Sequence, residues 1–364
     1  MIKENYQSKN GISKMLVEQL LTPALLVDLN IMEKNLRNMA AFFSDKECML
    51  RPHFKNHKCI ALAKRQLDAG AIGITTATLH ETEMLVKAGI HSILIANEIA
   101  GKSNIQKLLE LAAEAEIILA VDNEKVVEEI ALLSFVRKSR LGLVVDIDLG
   151  LKRCGVQPGD PVLQLAKKII SMGLRFEGIM GYEGNLQRLE DNNESMSLRK
   201  EAMHQLIRTK KLLEQNNIPV NIVTAGGSGT YQVAATTTGI TEVQAGNYLL
   251  MDDSYAPFSF AFQPALSLLT NVISVTPGER FVLNAGVKEI SSERGMPTLK
   301  NMPGAVLKAL HAEHAIAEII DPPINILVGD MVELNIWYSD ATVNLHDKMY
   351  GVRDGWVEEI FDIV

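Results

Sequence analysis

Short apolar runs alternate with longer stretches of helical spacing from Ala24 to about Ala225, a pattern that predicts βα units wound around a parallel sheet. The expected strands lie at Ala24–Asp28, 49–54, 71–75, 92–96, 117–121, 142–147, 176–180 and 220–224. Between them, 30–43, 79–88, 103–113, 123–133, 161–172 and 198–215 carry apolar residues at helical intervals, several behind a Ser, Asp or Asn start signal. The alternation predicts an α/β fold, a (β/α)8 barrel of TIM type, over residues 22–255. Its last strand is the least defined, since 242–244 is an alternative that would close the ring.

Beyond about Tyr255 the texture changes to short alternating runs at 268–275, 279–283, 315–320 and 331–337. They are broken by Pro277-Gly278, Pro322-Pro323 and Gly329-Asp330, which predicts a C-terminal antiparallel β-domain over 256–364 with turns at those breakers.

The chain has 364 residues, 47% hydrophobic and 22% charged, which is enough for one large domain and a smaller one. Its net charge of -8, with lysine and arginine scattered, argues against nucleic acid as a partner, because phosphate backbones require a concentrated basic surface. Cys48, Cys59 and Cys154 are odd in number and widely spaced, so neither a disulfide framework nor a thiolate zinc site is expected, and a reducing cytoplasm fits. No apolar run reaches the roughly 20 residues that span a bilayer, and the polar Met1-Ile2-Lys3-Glu4-Asn5-Tyr6 is no signal peptide, so no membrane association is expected.

The densest chemistry lies in Arg51-Pro52-His53-Phe54-Lys55-Asn56-His57-Lys58. Read as a strand, it puts Arg51, His53, Lys55 and His57 on one face. Four such side chains cannot be buried together without a ligand, because an unpaired buried charge costs several kcal/mol; a solvated basic edge strand is the alternative. Lys55 within that row is a candidate Schiff-base nucleophile. Downstream, Gly226-Gly227-Ser228-Gly229-Thr230 follows a strand and can expose successive backbone N–H groups to a phosphate, with Gly246-Asn247 as a second loop. Arg153 and Tyr182 each lie just past a strand, although pairing of Arg153 with Asp146 or Asp148 is an equally simple fate.

The run at 51–58 resembles the cofactor-lysine motif of the fold-type III pyridoxal-phosphate enzymes, in the branch that holds D-threonine aldolase, D-serine dehydratase and 3-hydroxy-D-aspartate aldolase, built on an alanine-racemase-type barrel. Further resemblances follow in order at Glu81-Thr82-Glu83, Arg153-Cys154-Gly155-Val156, Tyr182-Glu183-Gly184, 226–231, 242–248 and Thr342-Val343-Asn344-Leu345-His346-Asp347. The likeness runs from about Thr22 to the C-terminus and implies that residues 1–21 join the β-domain and that the protein is a homodimer.

By this resemblance Lys55 holds pyridoxal 5'-phosphate as an internal aldimine, and Ser228, Gly246, Asn247 and Tyr255 contact the cofactor; His53 is placed beside it on the Lys55 face, and one of Arg153 and Tyr182 should face its ring or phenolic oxygen. His53 or His57, with His57 ranked first, would move protons beside it. Enzymes of this branch carry a metal-binding His-x-Asp or His-x-Cys just before the Thr-Val-Asn-Leu-His-Asp run. Here those positions read Tyr338-Ser339-Asp340, so the acidic ligand is kept and the histidine is not. Asp340 with Asp330 would suit Mg2+ or Mn2+ better than Zn2+.

The implied activity is a lyase acting on a β-hydroxy-D-amino acid as an aldolase or a dehydratase. Loss of the metal histidine raises an alternative, a racemase or epimerase with Lys55 and Tyr338 as opposed bases, which needs no β-oxygen chemistry. A non-catalytic pyridoxal-phosphate carrier is the third reading, and the β-domain counts against it.

Overall fold

The computed structural model describes residues 15–134, 141–255, 258 and 261–364. These residues divide into two compact units, one formed by the described residues within 39–55 and 60–246, the other by those within 15–38, 56–59 and 247–364.

The first unit is a ring of parallel strands, Met49–Leu50, Ile74–Thr76, Ser92–Ile95, Glu116–Val121, Leu141–Ile147, Arg175–Gly181, Ile222–Ala225 and Glu242–Val243. Glu242–Val243 pairs with both Ile222–Ala225 and Met49–Leu50. The remaining gap is closed by Ile72 N–H donating to Leu50 O (3.0 Å), Thr75 N–H donating to Pro52 O (2.8 Å) and a bridge between His53 and Thr75. Central strands such as Leu141–Ile147 are buried throughout, as expected where side chains fill the ring on one face and helices cover the other. Helices follow each of the first seven ring strands, from Ile60–Asp68 to Tyr231–Thr236. The longest, Asn193–Gln215, starts at Asn192, whose side chain accepts from Ser195 N–H in a capping box.

Two elements depart from the sequence expectation. Ala24–Asp28 is not a ring strand; it pairs antiparallel with Leu266–Thr276 and parallel with Lys348–Arg353 in the other sheet, and Glu242–Val243 takes the eighth place. Ala24, Leu25, Leu26 and Val27 are all buried, so the run shows no alternation and is indistinguishable by pattern from a strand of a parallel sheet. The stretch at 49–54 is a strand only at Met49–Leu50, and Phe54–Asn56 is a 3-10 turn, so the period-two row of basic residues breaks before Lys55.

The second unit holds a ten-stranded sheet, antiparallel apart from the pair formed by Ala24–Asp28 and Lys348–Arg353. Leu266–Thr276, Arg280–Leu283, Ala315–Ile319 and Met331–Asn335 lie where the alternating runs predicted, and Gly278 (φ +73°) and Gly329 (φ +98°) make turns that an L side chain would strain. Met15–Leu16 pairs with Trp356–Val357 in this sheet; residues 1–14 of the expected N-terminal segment lie outside the described residues. Among the described residues no helix is long and apolar enough to cross a membrane.

Candidate active site

Because every ring strand runs the same way, the loops that follow them leave at one end, and the predicted barrel residues lie on those loops. Lys55 is half-buried in the turn after the first ring strand, and its N–H donates to His53 Nδ1 (3.4 Å). Gly246, past the last strand, lies against this turn: a Cβ there would stand 2.7 Å from His53 O, so only glycine permits the approach. Arg153 and Tyr182 come together, with the guanidinium carbon 5.6 Å from the ring centroid. Asp148 is occupied with the N–H groups of Gly150 and Lys152 (2.9 Å each), so it caps a turn.

The glycine loop differs from its expectation. Its N–H groups do not point outward in series. Gly226 N–H donates to Glu183 Oε2 (3.4 Å), Gly227 N–H to Thr230 Oγ1 (3.0 Å), Gly229 N–H to Gln187 Oε1 (3.0 Å) and Thr230 N–H to Gly227 O (3.1 Å). Ser228, itself buried, occupies the centre of this turn. The reason is satisfiability: buried N–H groups must be paired, and Glu183 and Gln187 beneath the loop supply the acceptors.

An acidic cluster at the same end of the ring went unrecognised in the sequence. Glu98, Asp122 and Cys154 place ligand atoms within 4.8 Å of one another. Asp146, 5% exposed, stands next to them with its carboxyl pushed up to about 8 by burial first and then by the Glu98 charge. The cluster raises the Cys154 thiol to about 11, again with burial as the leading cause. The missed signal was an acidic residue at or just past three successive strand ends.

In the second unit, His57 is fully buried and its Nδ1 accepts from Cys59 N–H (3.1 Å). Asp252, also buried, organises the polar residues near the other predicted positions. It accepts from Ser339 N–H (2.9 Å), Ser339 Oγ (2.6 Å) and Ser254 Oγ (2.5 Å), and more weakly from Asn247 Nδ2 (3.4 Å). These bonds fix the start of the helix Ser339–Val343, and Asn56 Nδ2 donates to Asp340 Oδ1 (3.0 Å) at that helix. Tyr255 is buried at the end of the turn Asp253–Tyr255. The Arg294 guanidinium lies over the Tyr338 ring, 4.3 Å from its centroid.

The barrel residues fit pyridoxal 5'-phosphate chemically: an amine for the aldehyde, a guanidinium and a phenol for the ring, and a buried hydroxyl in a tight glycine turn for the phosphate. The proposed metal position fits poorly. Asp330 is exposed and its Oδ2 accepts from Leu327 N–H (2.8 Å) within its own turn, and Asp340 accepts from Asn56. Among the described residues the group of three close ligand atoms is the barrel cluster above, which includes neither aspartate.

Residues 27–254 match the family model described as alanine racemase, N-terminal domain, and residues 265–352 match that of a serine dehydratase domain. D-threonine aldolase of Arthrobacter sp is 33% identical over 94% of this chain and 92% of its own length. The 3-hydroxy-D-aspartate aldolase of Paracoccus denitrificans (strain Pd 1222) is 28% identical over 94% of this chain and 91% of its own. Among solved structures, D-threonine aldolase from Filomicrobium marinum superimposes with a TM-score of 0.92 at 31% identity, over 96% of both chains. A shared barrel, a shared second domain and similarity along nearly the whole length leave one assignment: the chain belongs to the alanine racemase N-terminal domain family, in its D-threonine aldolase-like branch.

Proposed function

We propose that this chain is a pyridoxal-phosphate-dependent lyase that acts on β-hydroxy-D-amino acids, with Lys55 as the cofactor lysine. The observation that carries the reading is similarity to D-threonine aldolase over 94% of the chain, with a lysine in the turn after the first ring strand. When bound, pyridoxal 5'-phosphate supplies an aldehyde for an amine to capture and a ring that withdraws electrons from the substrate α-carbon.

Lys55 supplies that amine, half-buried at the barrel end. Arg153, its guanidinium over the Tyr182 ring, offers hydrogen bonds as a donor only. With Nδ1 accepting, a neutral His53 or His57 carries its proton on Nε2, and these two are the proton-moving candidates. Tyr338 is the candidate for the substrate β-oxygen. Ser228, Gly246, Asn247 and Tyr255 are assigned to the phosphate end. No metal step enters this reading. Cleavage of Cα–Cβ is favoured over loss of water, because the two relatives above are aldolases. The second reading, a racemase, is favoured by one observation, tyrosine at 338 in place of the metal histidine. Free thiols at Cys48, Cys59 and Cys154 are consistent with the reducing cytoplasm we assign, and we take the working form to be a homodimer.

The test is to incubate the purified holoprotein with D-threonine, L-threonine and D-serine. Aldehyde from the D-substrate supports the aldolase, keto acid the dehydratase, and the opposite enantiomer alone would replace the lyase by the racemase. Lys55→Ala must lose both the visible absorption of the bound cofactor and the activity; retention of either removes the lysine assignment.

A further inference from the structure

We infer that Glu183 is a positioning residue for phosphate binding, acting through Thr230 and Gly226 to hold the glycine loop in its binding shape; this rests on the cofactor reading above. Glu183 is 0% exposed and its donors are all uncharged: Gly226 N–H, the Thr230 hydroxyl on Oε1, and Gln187 Nε2 (3.2 Å). Burial raises its carboxyl above the usual range, so its placement opposes its own ionisation. Such a group is costly to bury and needs a role that an apolar side chain would not fill.

That role is visible in the hydrogen-bond count. Thr230 Oγ1 donates to Glu183 while accepting from Gly227 N–H and from Gln187 Nε2 (2.8 Å), so it acts as the hub of the loop. Gln187 in turn accepts from Gly229 N–H through Oε1. The loop lies so close to Gln187 that a Cβ on Gly227 would stand 2.5 Å from its Oε1, and one on Gly229 would stand 1.9 Å from its carbonyl oxygen. The backbone is therefore moulded onto a buried Glu-Gln-Thr triangle, with Ser228 at the turn's centre. Without the Glu183 carboxylate, Thr230 loses its acceptor and Gly226 N–H its partner, and the turn is free to re-form around other bonds. Tyr182 precedes Glu183 in the chain, so the residue that stacks on Arg153 and the residue that shapes the loop are set by one backbone segment.

The test compares dissociation constants of pyridoxal 5'-phosphate and of pyridoxal, which lacks the phosphate, for wild type, Glu183→Ala, Thr230→Val and Thr230→Ser. Losing about one buried hydrogen bond's worth of order should weaken binding of the phosphorylated form about 10-fold in Glu183→Ala and Thr230→Val. Pyridoxal should change less than about 3-fold on the same scale, and Thr230→Ser, which keeps the hydroxyl, should stay near wild type. Equal weakening of both ligands, or unchanged phosphate affinity, overturns the inference. Should Glu183→Ala fail to fold, the contrast between Thr230→Val and Thr230→Ser decides. A wild-type protein that binds neither form would sink the cofactor reading instead, and so is distinguishable.

Discussion

Arg51 and Glu242 join the first and last strands of the ring through a two-pronged ion pair, Nη2 to Oε1 at 2.7 Å and Nε to Oε2 at 3.0 Å, with both residues buried. Arg51 Nη1 also donates to Ser92 Oγ (2.9 Å), so the guanidinium ties three strand ends together. The carboxylate's charge is felt locally: the Cys48 thiol is pushed up to about 12, by burial first and then by Glu242.

Removing one partner of such a pair leaves the other charged and buried, which costs about 3–5 kcal/mol. Arg51→Ala and Glu242→Ala should each lower stability by roughly that amount in urea unfolding. The double variant Arg51→Met, Glu242→Leu should recover most of the loss, because the isolated charge is gone. If the singles are as stable as wild type, the pair does not hold the ring.

Asp252 makes a comparable prediction in the other unit. It satisfies both serines that flank it in space, Ser254 and Ser339, and thereby anchors the helix Ser339–Val343. Asp252→Ala strands several buried donors, at about 1–3 kcal/mol for each one left unpaired. A loss of about 3 kcal/mol is expected, together with faster hydrogen exchange at Thr342, whose N–H donates to Tyr338 O (3.2 Å). Native-like exchange at that amide would show that the helix is held by other means.

What the sequence disclosed, and what it hid, follows from the same physics. Strands buried on both faces read as apolar runs, so most of the ring was legible from Ile74–Thr76 to Ile222–Ala225. The same lack of alternation placed Ala24–Asp28 in the wrong sheet, since pattern reports burial and not partner. Glu242–Val243 was hard to see because two residues carry no period. At the site, Lys55 stood out by its basic neighbours, one of which, Arg51, is bonded to Glu242 within the ring. The roles of Glu183, Gln187 and Asp252 stayed hidden because they act through hydrogen bonds to segments distant in sequence.

The Tyr338 position makes a prediction about metal. The Arg294 guanidinium over the ring would repel a divalent ion about 5 Å away by about 2 kcal/mol even at the dielectric of water. The phenol is a poor ligand, and Asp340 is already engaged by Asn56. Chelation with EDTA should therefore leave turnover within about two-fold, a difference under 0.5 kcal/mol on the transition-state scale. Electron paramagnetic resonance of added Mn2+ should show no tight binding in wild type and new binding in Arg294→Ala, Tyr338→His, which restores a His-x-Asp pair. Stoichiometric Mn2+ in wild type, lost in Asp340→Ala, would contradict this account.

Asp146 governs the expected pH dependence. Its carboxyl titrates near 3.8 when unfolded and at about 8 in the folded ring, chiefly because of burial and then because of Glu98, with Arg153 pulling the other way. Between those limits the folded state holds a proton that the unfolded state has released, so the slope of stability with pH is negative. The contribution is complete below about pH 4 and is lost as pH rises to about 8, at up to about 1.4 kcal/mol for each pH unit. Asp146→Asn cannot ionise, and its urea midpoint should fall less between pH 5 and pH 8 than that of wild type, by the equivalent of about 2 kcal/mol or more. Parallel profiles for the two proteins would mean that Asp146 is already ionised in the native ring.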